Sequence, residues 1–282
     1  MPQVFNIAPR VLVYPHGTAP PSVEEGWLAL PQLPKLPPAV PAGASPASPA
    51  GSAPPARGVF GDGSHPTTRL CAAAVDLLCR QRPGMAVLDV GTGTGILARI
   101  ARARGASFVV GTDIDPAAVA CAKAHAELDD HGTRAAATGD AFATGPHIPV
   151  VDAGADTTGA TGPWSATIAT RADAPDMHEA ATEACHINIH FGDEAPDHWR
   201  SRFDLVVANI LEAPLRNLAP ALCRALVPGG VLVISGFTRP QVPALRLAFE
   251  TAGLQSAGDF NLDEWVLLKF VAPTEADHNF SR

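Results

Sequence analysis

Basic residues are scarce: 20 Lys and Arg stand against 28 Asp and Glu, leaving a formal charge of −8 and a pI near 5.6. A phosphate backbone demands a basic surface, so this shortage argues against nucleic acid as the main partner and fits a cationic or neutral substrate better. Cysteine is sparse too. The five residues Cys71, Cys79, Cys121, Cys185 and Cys223 are scattered, odd in number and form no CxxC pair, which reads as reduced, mostly buried thiols of a cytoplasmic protein. No apolar run reaches membrane-spanning length, and MPQVFNIAPRVLVYP lacks the charged segment and long apolar stretch of a signal peptide. What is plentiful is apolar residue content, 46%, enough to build a substantial core over 282 residues.

Proline is abundant but unevenly placed. Twelve of 28 fall between Pro15 and Pro55, mixed with Ala, Gly and Ser, and proline withholds the backbone donors that helices and sheets need. Residues 1–57 therefore read as a partly extended, Pro/Ala-rich segment and linker. Val11 to Tyr14 has the makings of a short strand, and Trp27, Leu28 and Leu30 of a docking patch. From Gly58 the pattern becomes that of an α/β domain running to Val271, with 272–282 as a tail. Strands are predicted at Met85–Val90, Phe108–Asp113, Ile187–Phe191, Leu205–Ile210, Val231–Ser235 and Trp265–Val271. Helices are predicted at Leu70–Cys79, Ile96–Arg104, Pro116–Leu128, Leu215–Leu226 and Pro243–Ala252, the third with Asp115 as N-cap and Pro116 at its first position. Strictly alternating elements imply parallel strands with crossover helices. Between Gly132 and Ala184 periodicity fades. That stretch reads as an inserted acidic surface loop, or as a guide for a basic substrate.

VLDVGTGTGIL (Val87–Leu97) runs from strand through Gly91, Gly93 and Gly95 into a helix, so a ligand can lie against backbone at the helix's positive end. Gly93, Gly95 and Ala98 also satisfy the dinucleotide fingerprint G-x-G-x-x-G/A. In GTDIDP, Asp113 closes the next strand 18 residues after Gly95, where a carboxylate can accept both hydroxyls of an adenosine ribose. Together the two motifs mean an adenosyl cofactor and leave open which one.

Six segments occur in order: FGDGSHPTTRLC (Phe60–Cys71), VLDVGTGTGILA, GTDIDPAAV, FDLVVANILEAPLRNLAP (Phe203–Pro220), LVPGGVLVISGF (Leu226–Phe237) and DEWVLL (Asp263–Leu268). This series resembles the PrmA family, the bacterial ribosomal protein L-11 methyltransferases. The resemblance implies the class I S-adenosylmethionine-dependent methyltransferase fold, a Rossmann-like α/β sheet of seven strands with the last antiparallel. It places S-adenosyl-L-methionine on Thr68, Gly91, Gly93, Gly95, Asp113, Asp193 and Asn209. Gly139-Asp140 and Gly192-Asp193 compete for the end of the third strand; the alternation of INIHF favours Asp193. Where the family reads GTGTHPTT, this chain reads GDGSHPTT, and Thr92 replaces a cysteine in the glycine loop. Family members carry a folded recognition domain ahead of the linker, for which this sequence offers only its Pro/Ala-rich segment.

The implied chemistry is transfer of a methyl group to protein amino groups, lysine or N-terminal, of a ribosomal protein. Asn209 resembles the asparagine of amino-methylating enzymes, its side-chain oxygen accepting from the attacking amine; the plainer reading is a turn former at a strand end. His65 reads as a loop anchor or a general base. The five histidines from His147 to His198 have no ligand spacing, so no metal is expected. A small-metabolite methyltransferase and an inactive cofactor-binding interaction module are the alternatives.

Overall fold

The computed structural model describes residues 5–15, 21–23, 26–32, 59–137, 187–191 and 199–274. Its centre is a seven-stranded sheet built from β4 (Ala86–Val90), β5 (Phe108–Asp113), β6 (Ile187–Phe191), β7 (Phe203–Asn209), β8 (Leu226–Thr238), β9 (Gln255–Leu262) and β10 (Trp265–Val271). The strand order is β6-β5-β4-β7-β8-β10-β9, and β10 runs antiparallel to both neighbours while the other pairs are parallel. Buried on both faces, β4 and β7 are almost wholly apolar, as a parallel sheet covered by helices requires. Helices α1 (Pro66–Gln81) and α2 (Ile96–Ala103) pack on one face, joining Cys71, Val75, Leu78 and Ile100 to Val87, Leu205 and Val233. On the other face, α4 (Glu212–Ala225) and α5 (Val242–Thr251) bring Leu215, Leu222, Leu245 and Phe249 against Leu88, Val206, Ile234 and Leu268. The remaining helix, α3 (Pro116–Ala137), follows β5 and is longer than the predicted Pro116–Leu128.

The expected linker is corrected over part of its length. Phe5–Ala8 (β1), Val11–Pro15 (β2) and Leu28–Gln32 (β3) form a second sheet, with β1 antiparallel and β3 parallel to the central β2. Ile7, Val11, Val13 and Leu30 are buried in the same cluster as Cys71 and Val75 of α1. Counting prolines misjudges this segment because Pro15 ends β2 and Pro31 lies on the edge strand β3, two positions that tolerate a missing donor. Two arginines fasten the sheet to the body. Arg104 Nη2 donates to the Arg10 carbonyl at 3.0 Å and Arg99 Nη2 to the Pro31 carbonyl at 3.2 Å. Buried Asp76 holds Arg104 Nε at 2.5 Å, and Asp129 on α3 holds Arg99 Nε at 2.6 Å.

Two further elements differ from expectation. β9 escapes the sequence reading because QSAGDFNL has no apolar run: it is an edge strand with no fully buried residue and with Gly258 in the left-handed region. Pro228-Gly229-Gly230, just ahead of the predicted strand Val231–Ser235, lies inside β8. There the pairing with β7 skips from Phe203↔Leu226 to Leu205↔Val231, so the three residues are accommodated as a bulge. Residues 138–186, most of the expected acidic insertion, lie outside the described residues.

Candidate functional site

The carboxyl ends of β5, β4 and β7 lie side by side, and each closes on a residue that the sequence singled out: Asp113, the turn at Gly91, and Asn209. Ligands of open α/β sheets bind outside this edge.

The loop from Gly91 to Gly95 is held to β5 by two bonds, from Gly91 N and Thr92 N to the Thr112 carbonyl at 2.8 and 2.9 Å. Gly91 and Gly93 adopt φ of 72° and 55°. Neighbours as well as backbone conformation demand glycine here. A Cβ on Gly91 would stand 2.1 Å from Ile210 Cγ2, and one on Gly93 would stand 2.3 Å from the Phe60 carbonyl oxygen. Phe60 and Gly61 thus pass directly over the loop, where Thr94 N donates to the Phe60 carbonyl at 3.0 Å and Thr94 Oγ1 to that of Gly61 at 2.5 Å. Gly95, with φ of 82°, opens α2 without a side-chain cap.

Asp113 is half-buried. Its Oδ2 accepts from Gly93 N and its Oδ1 from Asp115 N, each at 2.9 Å. A carboxylate offers about four lone-pair sites, so these bonds aim the group and leave acceptor capacity for a diol. Asp115 caps α3, its Oδ1 accepting from Ala117 N at 2.9 Å.

Asn209 closes β7 opposite Ser235 of β8. Its Nδ2 donates to Oγ1 of buried Thr68, in the first turn of α1, at 3.4 Å. Its Oδ1 is buried with no hydrogen-bond partner among the described residues. An orphan buried acceptor is costly unless a ligand completes it. Beneath lies Asp89, fully buried on β4, whose Oδ2 accepts from Thr92 Oγ1 at 2.7 Å. Burial pushes its carboxyl up to about 7, against the Thr92 hydrogen bond, which pulls it down.

His65 is the N-cap of α1. Its Nδ1 accepts from Thr67 N at 3.3 Å, so the ring proton sits on Nε2. The ring meets Phe60 and Trp265 edge to face, with centroids 5.2 and 4.7 Å away. His65 therefore anchors the segment that crosses the glycine loop.

The structure brings Thr68, Gly91, Gly93, Gly95, Asp113 and Asn209 to one edge of the sheet. Asp193 and its competitor Asp140 lie outside the described residues. Phe60, Ile210, Asp89 and Trp265 went unrecognised in the sequence. Asp89, two residues before Gly91 in an otherwise apolar strand, was the one with a readable signal. Among the described residues no group of three or more His, Cys, Asp or Glu is placed to hold a metal, and no helix is long and apolar enough to cross a membrane.

The residues present fit a ligand bearing an adenosine ribose and a polar tail: a backbone cradle with no room for Cβ atoms, a carboxylate at the next strand end, and an unsatisfied amide oxygen beyond it. With this sheet order and its antiparallel β10, the chain has the class I S-adenosylmethionine-dependent methyltransferase fold. The sequence profile of the ribosomal protein L11 methyltransferase (PrmA) family matches residues 58–151 and 162–273, and the chain belongs to that family. A ribosomal protein L11 methyltransferase of Caulobacter sp. (strain K31) is 32% identical over 218 residues, 77% of this chain and 58% of that protein. One from Chloroflexus aurantiacus is 33% identical over 215 residues, 74% of this chain and 54% of that protein. The chain thus spans little more than half the length of these relatives. The crystal structure of a ribosomal protein L11 methylase from Lactobacillus delbrueckii subsp. bulgaricus superposes with a TM-score of 0.60 at 20% identity, covering 96% of this chain and 98% of that one, a likeness of fold.

Proposed function

We propose that the protein transfers methyl groups from S-adenosyl-L-methionine to amino groups of a protein in the cytoplasm, with lysine side chains or the N-terminal amine of ribosomal protein L11 as the acceptor. The cofactor supplies an activated methyl on a sulfonium, and the acceptor nitrogen's lone pair forms the new N–C bond as the C–S bond breaks toward sulfur. This chain's residues need only bind, align and exclude water. Asp113 and the backbone of Gly91 to Gly95 would hold the adenosyl portion. Thr68 would orient the Asn209 amide. Asn209 Oδ1 would accept a hydrogen bond from the incoming neutral amine and aim its lone pair.

The observation that carries this reading is the Asn209 oxygen itself, buried and unsatisfied while its amide nitrogen is held by Thr68. An amine attacking a sulfonium gains positive charge, which an acceptor oxygen stabilises more in the transition state than before it. Incubation with methyl-labelled cofactor and either purified L11 or a cell lysate tests the proposal. Label is expected in protein, on amino groups of L11. Label confined to small molecules would reassign the acceptor, and no transfer at all would leave a cofactor-binding module.

A further inference from the structure

Thr94 is the point where three parts of the molecule meet. Its N–H and hydroxyl hold the crossing segment at Phe60 and Gly61, and its carbonyl is 2.7 Å from Nδ1 of His125 on α3. A carbonyl only accepts, so Nδ1 carries the ring proton. That leaves Nε2 bare in the neutral ring, and it faces the Cys121 thiol at 3.6 Å, one helical turn back. Burial raises the Cys121 pKa, keeping the sulfur as a thiol that can donate to Nε2. Both side chains are buried, and between them Ala122 sits under the glycine loop, its Cβ 3.3 Å from where a Gly95 Cβ would lie. The next peptide begins at Gly95, which enters α2 in the left-handed region with no side-chain cap. Within the loop the 94–95 peptide is tied by its own N–H, which bonds the Thr92 carbonyl at 2.8 Å, and its carbonyl is held from α3 by His125.

We propose that His125 is a positioning residue for the cofactor loop: its Nδ1–H pins the Thr94 carbonyl, and Cys121 selects the tautomer that can do so. The role is carried by one N–H at one place on the side chain, not by the bulk of the ring. It rests on the loop being the S-adenosylmethionine site.

Long-range 1H–15N spectra of the folded full-length chain should show His125 protonated on Nδ1 and bare on Nε2. Calorimetry with S-adenosylhomocysteine supplies the second readout. His125→Asn places an N–H on the same branch as Nδ1 and should bind within about twofold of the parent. His125→Gln, whose N–H falls at the position of Nε2, and His125→Leu, which has none, should bind about three- to tenfold more weakly, the size of one hydrogen bond. Should His125→Leu fail to fold, the Asn and Gln pair still decides the question. A ring protonated on Nε2 would overturn the proposal alone, as would equal affinities for the Asn and Gln variants. Failure of the unmutated chain to bind S-adenosylhomocysteine would overturn the cofactor reading and this proposal with it.

Discussion

Thr68 and Asn209, 141 residues apart in sequence, meet across 3.4 Å where the first turn of α1 crosses the end of β7. The contact uses the Asn209 amide N–H, and so decides which end of that amide is left over. On the proposed function, the opposite orientation would set the amide nitrogen, a donor, against the incoming amine. In this arrangement Thr68 accepts from the amide and leaves the Asn209 oxygen without a partner among the described residues.

Asn209→Ala should lower the methylation rate by about a hundredfold or more, the order seen when one such electrostatic contact is removed, while cofactor affinity falls less. Asn209→Asp keeps an acceptor but adds a charge that holds the amine protonated, so its activity should recover as pH rises. Single-turnover rates and cofactor affinities across pH check both. A normal rate in Asn209→Ala would reduce the residue to a turn former.

Asp113 serves two masters. Its oxygens tie Gly93 and Asp115 in place and, on the proposed function, also accept from the ribose. Charge-assisted bonds of roughly 1.5–3 kcal/mol predict that Asp113→Ala weakens S-adenosylmethionine binding about tenfold to a hundredfold by calorimetry. Unchanged affinity would remove Asp113 from the site.

At Gly93 the missing Cβ would stand 2.3 Å from the Phe60 carbonyl, in a backbone conformation that costs other residues roughly 1–2 kcal/mol. Gly93→Ala should push the Phe60 segment off the loop and reduce cofactor affinity by at least about tenfold. Retained affinity would show that the crossing segment does not support binding.

Residues 1–32 contribute Ile7, Val11, Val13 and Leu30 to the main core. At about 1.5–3 kcal/mol for each side chain withdrawn from water, their removal should lower the melting temperature by more than about 10 °C. Calorimetry of a chain beginning at residue 33 checks this, and an unshifted melt would mean the small sheet is dispensable.

Asp89 makes stability depend on pH. Its unfolded carboxyl titrates near about 4, and its folded one near 7. Below both values the proton is bound in both states and costs nothing. Between them only the folded state keeps it, so stability falls as pH rises across that window. Asp89→Asn still accepts from Thr92 but cannot ionise. Its melting temperature should gain on the parent between pH 5 and pH 8, and a gap that stays constant across this range would contradict the buried, protonated carboxyl.

Much of this protein could be read along the chain. Phe108–Asp113, Ile187–Phe191 and Trp265–Val271 have the predicted bounds, because each is a short apolar or alternating run between clear breaks. Where burial is one-sided or absent, legibility drops. β9 is an edge strand with no apolar signature, and while Val11–Tyr14 and the docking of Leu28 and Leu30 were legible, the strands β1 and β3 were hidden among prolines. The glycine loop and the strand-end carboxylate were legible because each answers to a local requirement, a left-handed turn and an acceptor, whereas Asn209 was singled out through the family resemblance.

By itself the sequence determined the order of the predicted helices and strands, the glycine loop and the identity of the polar groups at two strand ends, Asp113 and Asn209, since these depend on neighbours within a few residues. Only the tertiary structure decided which of them meet and which atoms are left over. Thr68 reaches Asn209, Phe60 crosses Gly93, and His125 reaches Thr94 because the parallel sheet sets its strand ends side by side and the helices return over them. Those contacts join residues 31 to 141 positions apart, far outside the span over which periodicity or propensity carries information, and it is packing of the two helical layers that fixes them.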